Sequence, residues 1–307
     1  MFQSSNRFDS LLGIQVLATQ AKRRNSGSSP LPIRSPIPRP ILFSIFAACG
    51  LILVSMSVPA KAQQVPLRIA AAADLQPVLP PILDQFRQAT GIQAQATYQA
   101  SAALTTQILN GAPFDLFLSA DLSYPKRLID AGVADTAGLV GANGMSDSST
   151  PITYAHGALV LWTRRDGHWP NPTLAILRDP SLQRLAIANP DRAPYGRAAI
   201  AAIASLKLLD ALKPRFVTAE NISQAAQFAE TGNADAGLIS LTSAKTEHLA
   251  SIGSYFTIPA DLYPPIEQGA VIVTSSSQRQ NAHKFLDFLL SPPIQQQLAK
   301  SGLTPVR

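Results

Sequence analysis

The side chains that most often perform catalysis or bind metals are sparse and scattered in this sequence of 307 residues. No P-loop, H-E-x-x-H, G-x-S-x-G or G-x-G-x-x-G motif is present. Asp115 and Asp121 flank the end of a predicted strand and could act as acid and base, but a role in a turn or helix cap is favoured. Surface or loop positions are predicted for the four histidines, which lack the spacing of metal ligands: His156, His168, His248 and His283.

Four turns made of small residues indicate a different chemistry. Each lies where a predicted strand is followed by a helix: Ala72-Ala73-Asp74-Leu75, Ala100-Ser101-Ala102, Pro194-Tyr195-Gly196 and Asn221-Ile222-Ser223. Small side chains let a ligand approach the backbone, and the free N–H groups of a helix N-terminus favour anions. A single turn of this kind is also explained by simple packing. Because ligands of open α/β sheets bind beyond the carboxyl ends of strands, we expect the four helix starts to converge on one small anion.

The elements that position these turns alternate between strands and helices from Leu67 onward, which predicts an α/β fold with mostly parallel strands. Strands are predicted at residues 67–72, 93–98, 115–119, 157–163, 182–188, 215–219, 236–240 and 268–274. Helices are predicted at residues 78–86, 104–109, 124–131, 196 to about 212, 221–232 and, as one amphipathic helix, 285–298. Residues 137–152 are rich in Gly, Ser and Asn and predict an exposed loop.

The order of these elements predicts two lobes. The first would contain residues 63–157 and 264–307, and the second residues 158–263. The late strand and helix return to the first lobe, so the chain crosses between the lobes twice. We place these crossings near residues 153–158 and 263–269.

The net charge of the chain argues against nucleic-acid binding. The sequence has 25 Lys and Arg against 19 Asp and Glu, a formal charge of +6. Residues 1–62 hold seven of the bases and one of the acids, which leaves 18 of each in the rest of the chain. The remainder is therefore neutral and contains no long basic run.

The first 62 residues are typical of a secretory signal peptide with a long leader. Residues 1–40 are polar and basic, residues 41–58 are apolar and uncharged, and Ala60-Lys61-Ala62 resembles a cleavage site. These features predict cleavage after Ala62 and a periplasmic location. The alternatives are a leader that reflects a start assigned too far upstream, and an apolar run retained as an anchor, since 18 residues can nearly span a bilayer.

The single cysteine, Cys49, lies in this prefix. The mature chain would therefore contain no disulfide, thiolate metal site or cysteine nucleophile. Lipidation of Cys49 is a minor alternative, because the preceding Phe-Ala-Ala is a poor lipoprotein box and apolar sequence continues beyond it.

Several motifs in order along the mature chain resemble the periplasmic molybdate-binding proteins of molybdate ABC transporters. They are Ala-Ala-Ala-Asp74-Leu, Gly111-Ala-Pro-Phe-Asp-Leu-Phe-Leu-Ser-Ala-Asp121, Asn189-Pro-Asp with Pro194-Tyr-Gly-Arg197, Glu220-Asn-Ile222 and Gly232-Asn-Ala-Asp-Ala-Gly237. The resemblance covers essentially the whole mature chain. It implies two α/β lobes of the type II periplasmic-binding fold, with the oxyanion in the cleft.

The resemblance also implies a set of ligand-binding residues. The serine-bearing position of the family's first loop is Asp74 here, and its backbone N–H would serve together with that of Leu75. Ser101 matches a hydroxyl donor of the second loop, and Tyr195 and Ile222 match backbone donors of the other lobe. Ser240 replaces a tyrosine whose hydroxyl some relatives use.

Asp74 departs from the family pattern, because a carboxylate that faced a dianion would repel it strongly. We therefore expect the Asp74 side chain to turn away from the ligand and to cap its own helix. Since Pro77 has no N–H, the cap bond would go to Gln76.

A site made only of donors suits molybdate, a tetrahedral dianion without protons. It penalises hydrogen phosphate, whose O–H needs an acceptor, and cavity size would have to exclude sulfate. The sequence thus predicts a monomeric binding protein, without a cofactor, that delivers molybdate and tungstate to ABC permease subunits. The alternatives are a binding protein for another oxyanion or small solute, a secreted two-lobed enzyme, for which Ser101 lacks a His/Asp partner, and a membrane-anchored interaction domain.

Overall fold

The computed structural model describes residues 65–136 and 149–306. These residues all belong to one compact unit, Ala60–Arg307. The predicted leader, its apolar run, its cleavage site and residues 137–148 of the predicted loop lie outside the described ranges. Within those ranges, no helix has the length and apolar character needed to cross a membrane.

The described chain alternates between strands and helices. The strands are β1 (Leu67–Ala72), β2 (Ala94–Gln99), β3 (Leu116–Ser119), β4 (Ala134–Asp135), β5 (Ile152–Gly157), β6 (Leu159–Arg164), β7 (Leu185–Ala188), β8 (Phe216–Ala219), β9 (Ala236–Ser240), β10 (Gly253–Thr257), β11 (Ile266–Val273) and β12 (Thr304–Pro305). The α-helices are α1 (Leu79–Thr90), α2 (Ser101–Leu109), α3 (Ser123–Asp130), α4 (Pro194–Ser205), α5 (Leu209–Leu212), α6 (Ile222–Glu230), α7 (Leu241–Ala244), α8 (Glu247–Ile252), α9 (Arg279–Leu289) and α10 (Pro292–Lys300). A short 3-10 helix, Ala73–Leu75, follows β1 directly.

The first lobe is built on a sheet in the order β12-β5-β11-β3-β1-β2, with β4 paired to β11. Strand β1 lies parallel to both β2 and β3, whereas β11 is antiparallel to β3 and β5. Along β1, Ile69 and Ala71 belong to one apolar cluster, with residues of α1, α9 and α10, and Ala70 belongs to another, with residues of α2 and α3. Because side chains alternate along a strand, helices cover this sheet on both faces.

The second lobe is built on a sheet in the order β10-β6-β9-β7-β8. Strand β7 lies parallel to β8 and β9, and β6 runs antiparallel to β9 and β10. Its apolar cluster also contains Ala72, Ala73 and Ala120 of the first lobe. The carboxyl ends of β1 and β3 therefore pack directly against the second lobe.

The chain passes between the two sheets at Ala158 and again between β10 and β11. The two passages are joined by a hydrogen bond from the Leu159 N–H to the Tyr263 hydroxyl, at 3.1 Å. The first passage, at Ala158, lies at the end of the predicted crossing, residues 153–158, whose other residues belong to strand β5. The pattern of β5 was missed because Ile152, Tyr154 and His156 lie in a short, partly polar segment bounded by a Gly/Ser-rich stretch.

The long helix predicted to reach about Leu212 ends at Ser205 instead. Lys207 has a left-handed backbone, with a φ of 58°. The N–H of Leu208 donates to the carbonyl of Ile203 at 3.0 Å, and the N–H of Lys207 to that of Ala204 at 2.9 Å. This is a Schellman motif with lysine in the position that glycine usually occupies. The sequence around residue 207 therefore did not predict the end of the helix.

The single helix predicted at the C-terminus is two helices, α9 and α10. Ser291 has an extended backbone, with a φ of −67° and a ψ of 146°, and α10 starts at Pro292. Because proline disfavours helical backbone in the preceding residue and lacks an N–H, the pair Pro292-Pro293 ends one helix and begins the next.

Candidate functional site

The four small-residue turns meet at a cavity between the lobes. From the first lobe, Ala72, Ala73 and Asp74 line it with Gln99, Ala100, Ser101 and Ala120; from the second, the lining residues are Ala193, Pro194, Tyr195, Asn221 and Ile222. Its free volume is about 10 Å³. A cavity needs about 10–15 Å³ to hold one water, so the lobes are closed tightly on this space and would have to separate slightly to admit a polyatomic ligand.

The start of α4 places one N–H group at the cavity. Pro194 is the first helical residue and has no N–H, and the carbonyl of Ala193 accepts from Gly196 and Arg197 at 3.0 and 3.2 Å. The N–H of Tyr195, at the second helical position, has no acceptor within the helix. It therefore needs a partner from outside the helix. A Cβ on Gly196 would lie 2.3 Å from the carbonyl oxygen of Ala188, so only glycine lets the helix start this close to β7.

The start of α6 is capped by Asn221. The Asn221 side chain accepts the N–H of Gln224 at 3.0 Å, and Gln224 Oε1 accepts the N–H of Glu220 at 2.7 Å. The reciprocal bond therefore reaches one residue further back than in a standard capping box. The N–H of Ile222, at the first helical position, has no intrahelical partner and lies at the cavity.

Ser101 contributes a hydroxyl at the start of α2. Its side chain is buried, and its Oγ accepts the N–H of Ala120 at 3.2 Å. Because a hydroxyl both accepts and donates, this bond leaves the Ser101 proton to be donated within the cavity. The carbonyl of Ser101 accepts the Thr105 hydroxyl at 2.8 Å, which fixes the first turn of the helix.

The carboxyl group of Asp74 is fully buried and is hydrogen-bonded to two side chains. Its Oδ2 accepts the hydroxyl of Tyr195 at 3.1 Å and the side-chain amide of Gln268. Burial raises the pKa of Asp74 to about 6, partly offset by these two hydrogen bonds. The predicted helix cap was wrong, because the side chain makes no cap bond and the N–H of Gln76 donates to the carbonyl of Ala73 at 3.1 Å.

Two residues suggested by the resemblance do not line the cavity. Leu75 is buried among the apolar side chains of the first lobe. Ser240 caps α7, where its Oγ accepts the N–H of Ser243 at 3.2 Å and lies 2.9 Å from the hydroxyl oxygen of Thr242. Its side chain is thus used within the second lobe and reaches the other site residues only through Thr242, whose hydroxyl donates to the carbonyl of Asp74 at 2.8 Å.

The electrostatic character of the cavity comes from helix ends and neutral donors. Among its lining residues, none carries a positive charge. The N-termini of α2, α4 and α6 point their partial positive charge toward it, and this arrangement favours an anion without an Arg or Lys contact.

Bonds across the cleft hold the two lobes together around the cavity. Arg197 pairs with Asp121, lies 5.3 Å from the centre of the Tyr124 ring and donates to the Tyr124 hydroxyl at 3.2 Å. The N–H of Ala102 donates to the carbonyl of Arg192 at 3.2 Å. The Ser223 hydroxyl donates to the carbonyl of Ala73 at 2.8 Å. The structure is therefore a closed arrangement of the lobes.

The two aspartates considered for acid–base chemistry have structural partners. Asp115 is paired with Arg68, and its pKa is lowered because hydrogen bonds from Arg68 and Ser276 outweigh the effect of burial. Asp121 accepts the N–H of Tyr124 at 3.2 Å in the first turn of α3, besides its pair with Arg197. In the described part of the chain, no group of three or more His, Cys, Asp or Glu is arranged to hold a metal ion.

Sequence reasoning missed the residues that surround Asp74. Gln268 is buried on β11, Tyr154 is buried on β5, and Gly157 makes room for Tyr195, whose hydroxyl would lie 2.3 Å from a Cβ at that glycine. The sequence indicated these residues only weakly, because Gln268 lies within an apolar run and Tyr154 lies near a predicted loop. The lining residues Gln99, Ala120 and Ala193 were missed because each immediately precedes or follows a recognised element.

The chain matches the family of bacterial extracellular solute-binding proteins over residues 67–304. The molybdate-binding protein ModA of Azotobacter vinelandii is 36% identical over 231 residues, which are 75% of this chain and 86% of that protein. The molybdate-binding protein ModA of Rhodobacter capsulatus is 34% identical over 251 residues, which are 82% of this chain and 92% of that protein.

A solved structure extends this similarity to the fold. The periplasmic molybdate-binding protein of Azotobacter vinelandii aligns with a TM-score of 0.69 at 30% identity, over 78% of this chain and 98% of that one. The two-lobed type II periplasmic-binding fold, with two passages between the lobes, is therefore confirmed.

Proposed function

We propose that this chain, which belongs to the family of bacterial extracellular solute-binding proteins, captures molybdate between its lobes and delivers it to an ABC transporter permease. The observation that carries the proposal is the small cavity where Ser101, Tyr195 and Ile222 meet from three helix starts. The molybdate-binding relatives, similar over most of their length, supply the identity of the ligand.

The donor set explains how such a site selects its ligand. A tetrahedral dianion offers only acceptors, and the Ser101 hydroxyl with the N–H groups of Asp74, Tyr195 and Ile222 offers only donors. Hydrogen phosphate carries an O–H that would face these donors, and Oδ2 of Asp74 is already engaged by Tyr195 and Gln268. Tungstate has the same shape and charge as molybdate and belongs to the proposed ligand class.

The closed arrangement of the lobes is one stage of the proposed binding cycle. Ligand enters while the lobes are apart, and closure brings the donors of α4 and α6 onto those of the first lobe. The Arg197–Asp121 pair and the Ser223–Ala73 bond form only in the closed arrangement. In this cycle the ligand is bound and released without a chemical reaction, as in a carrier rather than an enzyme. The proposed carrier acts as a monomer and needs no cofactor.

The proposed location is the periplasm. The signal peptide would be cleaved after Ala62, so mass spectrometry of the protein from the cell envelope should find Gln63 at the N-terminus. An intact prefix in the membrane fraction would contradict cleavage and favour the retained anchor.

Thermal unfolding of the mature protein with a panel of oxyanions tests the proposed function. A ligand at a hundredfold excess over its Kd stabilises the folded state by about 2.7 kcal/mol. Molybdate and tungstate should raise the Tm, whereas sulfate and phosphate at equal concentration should not. Stabilisation by sulfate alone would assign the site to a different oxyanion.

A further inference from the structure

We propose that Asp74 is a proton-binding group of the ligand site, so that the protein takes up its oxyanion together with a proton. This inference rests on the proposed function and extends it. It would make the affinity depend on pH through one named carboxyl group, in a range where molybdate itself stays a dianion.

The first observation is that two buried acceptors lack partners. Within the described chain, neither Asp74 Oδ1 nor Gln268 Oε1 has a hydrogen-bond partner, and both residues have no exposed surface. An ionised Asp74 leaves two orphaned acceptors beside a buried negative charge, which is costly. A protonated Asp74 is neutral and becomes a donor, and its O–H can bond Gln268 Oε1 once the amide group turns over.

The second observation is that no positive charge compensates Asp74. Of the described Lys, Arg and His residues, none forms an ion pair with it. Arg197 and Asp121, the charged residues at the cleft rim, pair with each other. On β11, Glu267 lies next to Gln268 but is exposed, 3.8 Å from His156.

The titratable groups that face Asp74 stay neutral at ordinary pH. Burial and the charge of Asp74 raise the pKa values of Tyr195 on α4 and Tyr154 on β5 well above the usual value. Burial raises the pKa of Tyr98, on the strand beside β1, to about 12. Helix α7 contributes Thr242, whose hydroxyl donates to the carbonyl of Asp74 at 2.8 Å. A pH effect between 5 and 9 is therefore assigned to Asp74 itself.

The third observation is the shared cavity. Asp74 lines the same small space as Ser101, Tyr195 and Ile222, so a bound dianion adds a like charge next to a buried carboxyl whose pKa is already raised to about 6. A like charge disfavours ionisation and raises the pKa of Asp74 further. Because the bound form then holds the proton more tightly than the free form, binding takes up a proton.

The sign of the pH dependence follows from this linkage. Below the pKa of the free protein, Asp74 is protonated in both forms and affinity is highest. As pH rises toward the pKa of the bound form, affinity falls by up to about tenfold per pH unit. Above the pKa of the bound form, both forms are ionised and the dependence disappears.

Calorimetric titration with molybdate in two buffers of different ionisation enthalpy, Hepes and Tris, measures the proton count directly. At pH 7.0 we expect about half a proton or more to be taken up per bound anion. Asp74→Asn keeps the shape of the side chain, and its amide can donate to Gln268 Oε1; it should take up no proton and bind with an affinity independent of pH from 6.5 to 8.5. Asp210→Asn, an exposed carboxylate on α5, is the control and should match the parent.

If Asp74→Asn fails to fold, the measurements on the parent protein still test the inference. Tight molybdate binding with no proton uptake and a flat pH profile would overturn the proton-binding role and leave the proposed function standing. Proton uptake that persists unchanged in Asp74→Asn would also overturn it, because another group would then carry the proton. Absence of molybdate binding by the parent at any pH would instead contradict the proposed function.

Discussion

The hydroxyl of Tyr195 lies 3.1 Å from Oδ2 of Asp74 and joins the two lobes through a bond between fully buried groups. Asp74 follows the first strand of one lobe, and Tyr195 opens a helix of the other, so two of the four ligand turns are tied to each other directly. The position of the Tyr195 ring also depends on Gly157, since a Cβ there would meet its hydroxyl at 2.3 Å.

Removal of this hydroxyl should weaken the closed arrangement. Tyr195→Phe keeps the ring and the backbone N–H but deletes the donor to Asp74, and a hydrogen bond to the neutral, protonated Asp74 of the bound form is worth about 0.5–1.5 kcal/mol. We expect the molybdate Kd to rise by about two- to tenfold, mainly through faster dissociation in stopped-flow measurements.

Tyr255→Phe is the matched control, because Tyr255 is an exposed tyrosine of the same lobe on β10. It should leave both the Kd and the dissociation rate unchanged. A Tyr195→Phe protein that behaves like this control would show that the Tyr195–Asp74 bond does not contribute to closure.

The stability of the protein without ligand should fall as pH rises through 6. The pKa of Asp74 is about 6 in the folded state and 3.8 in a freely hydrated carboxyl group, so the folded state binds the proton more tightly. The stabilisation is complete below the lower value and is lost as pH passes the higher one, at a cost of about 3 kcal/mol. Denaturant unfolding of Asp74→Asn and the parent should give free energies that diverge in favour of the variant between pH 4 and pH 7.5. A difference that stays constant over this range would contradict a raised pKa for Asp74.

Ser101→Ala should weaken binding because the cavity loses its hydroxyl donor. A hydrogen bond to a charged group of about 1.5–3 kcal/mol corresponds to a rise in Kd of roughly 10- to 150-fold. Thr106→Ala removes a hydroxyl from the same helix outside the cavity, where it bonds only the carbonyl of Ala102, and serves as the control. Equal calorimetric titrations for the two variants would remove Ser101 from the site.

The contribution of Ile222 should come from its backbone. Ile222→Ala retains the N–H and should change the Kd little, whereas Ile222→Pro removes the N–H. Proline fits the first position of α6, because Asn221 already has the extended backbone, with a ψ of 176°, that a following proline requires. We expect Ile222→Pro to have near-native circular dichroism and a Kd raised at least tenfold. Binding as tight as that of the parent would exclude the start of α6 from the site.

Local patterns were sufficient to predict the elements that carry the site. The predicted strand at residues 67–72 matches β1, because a short apolar run between turn residues is typical of a covered parallel strand. The cap at Asn221 was predictable from Gln224 three residues on. Resemblance to a known family then gave a functional meaning to turns that are common in α/β proteins.

The surroundings of Asp74 could not be predicted in the same way. Its partners Tyr195 and Gln268 are separated from it by 121 and 194 residues, and each comes from an element that local patterns do not relate to β1. Local pattern likewise missed the left-handed Lys207, because the bonds that end α4 there are formed by backbone atoms.

Equilibrium dialysis against molybdate with radiolabelled sulfate in hundredfold excess, followed by elemental analysis of molybdenum and counting of the bound sulfate, distinguishes a molybdate site from a sulfate site. The site lies where the four turns meet. We expect one molybdenum per chain, displaced by tungstate and not by sulfate, and loss of most of the bound molybdenum in Ser101→Ala at limiting molybdate. A chain that retains sulfate and no molybdenum, or neither ion, would contradict molybdate binding at this site.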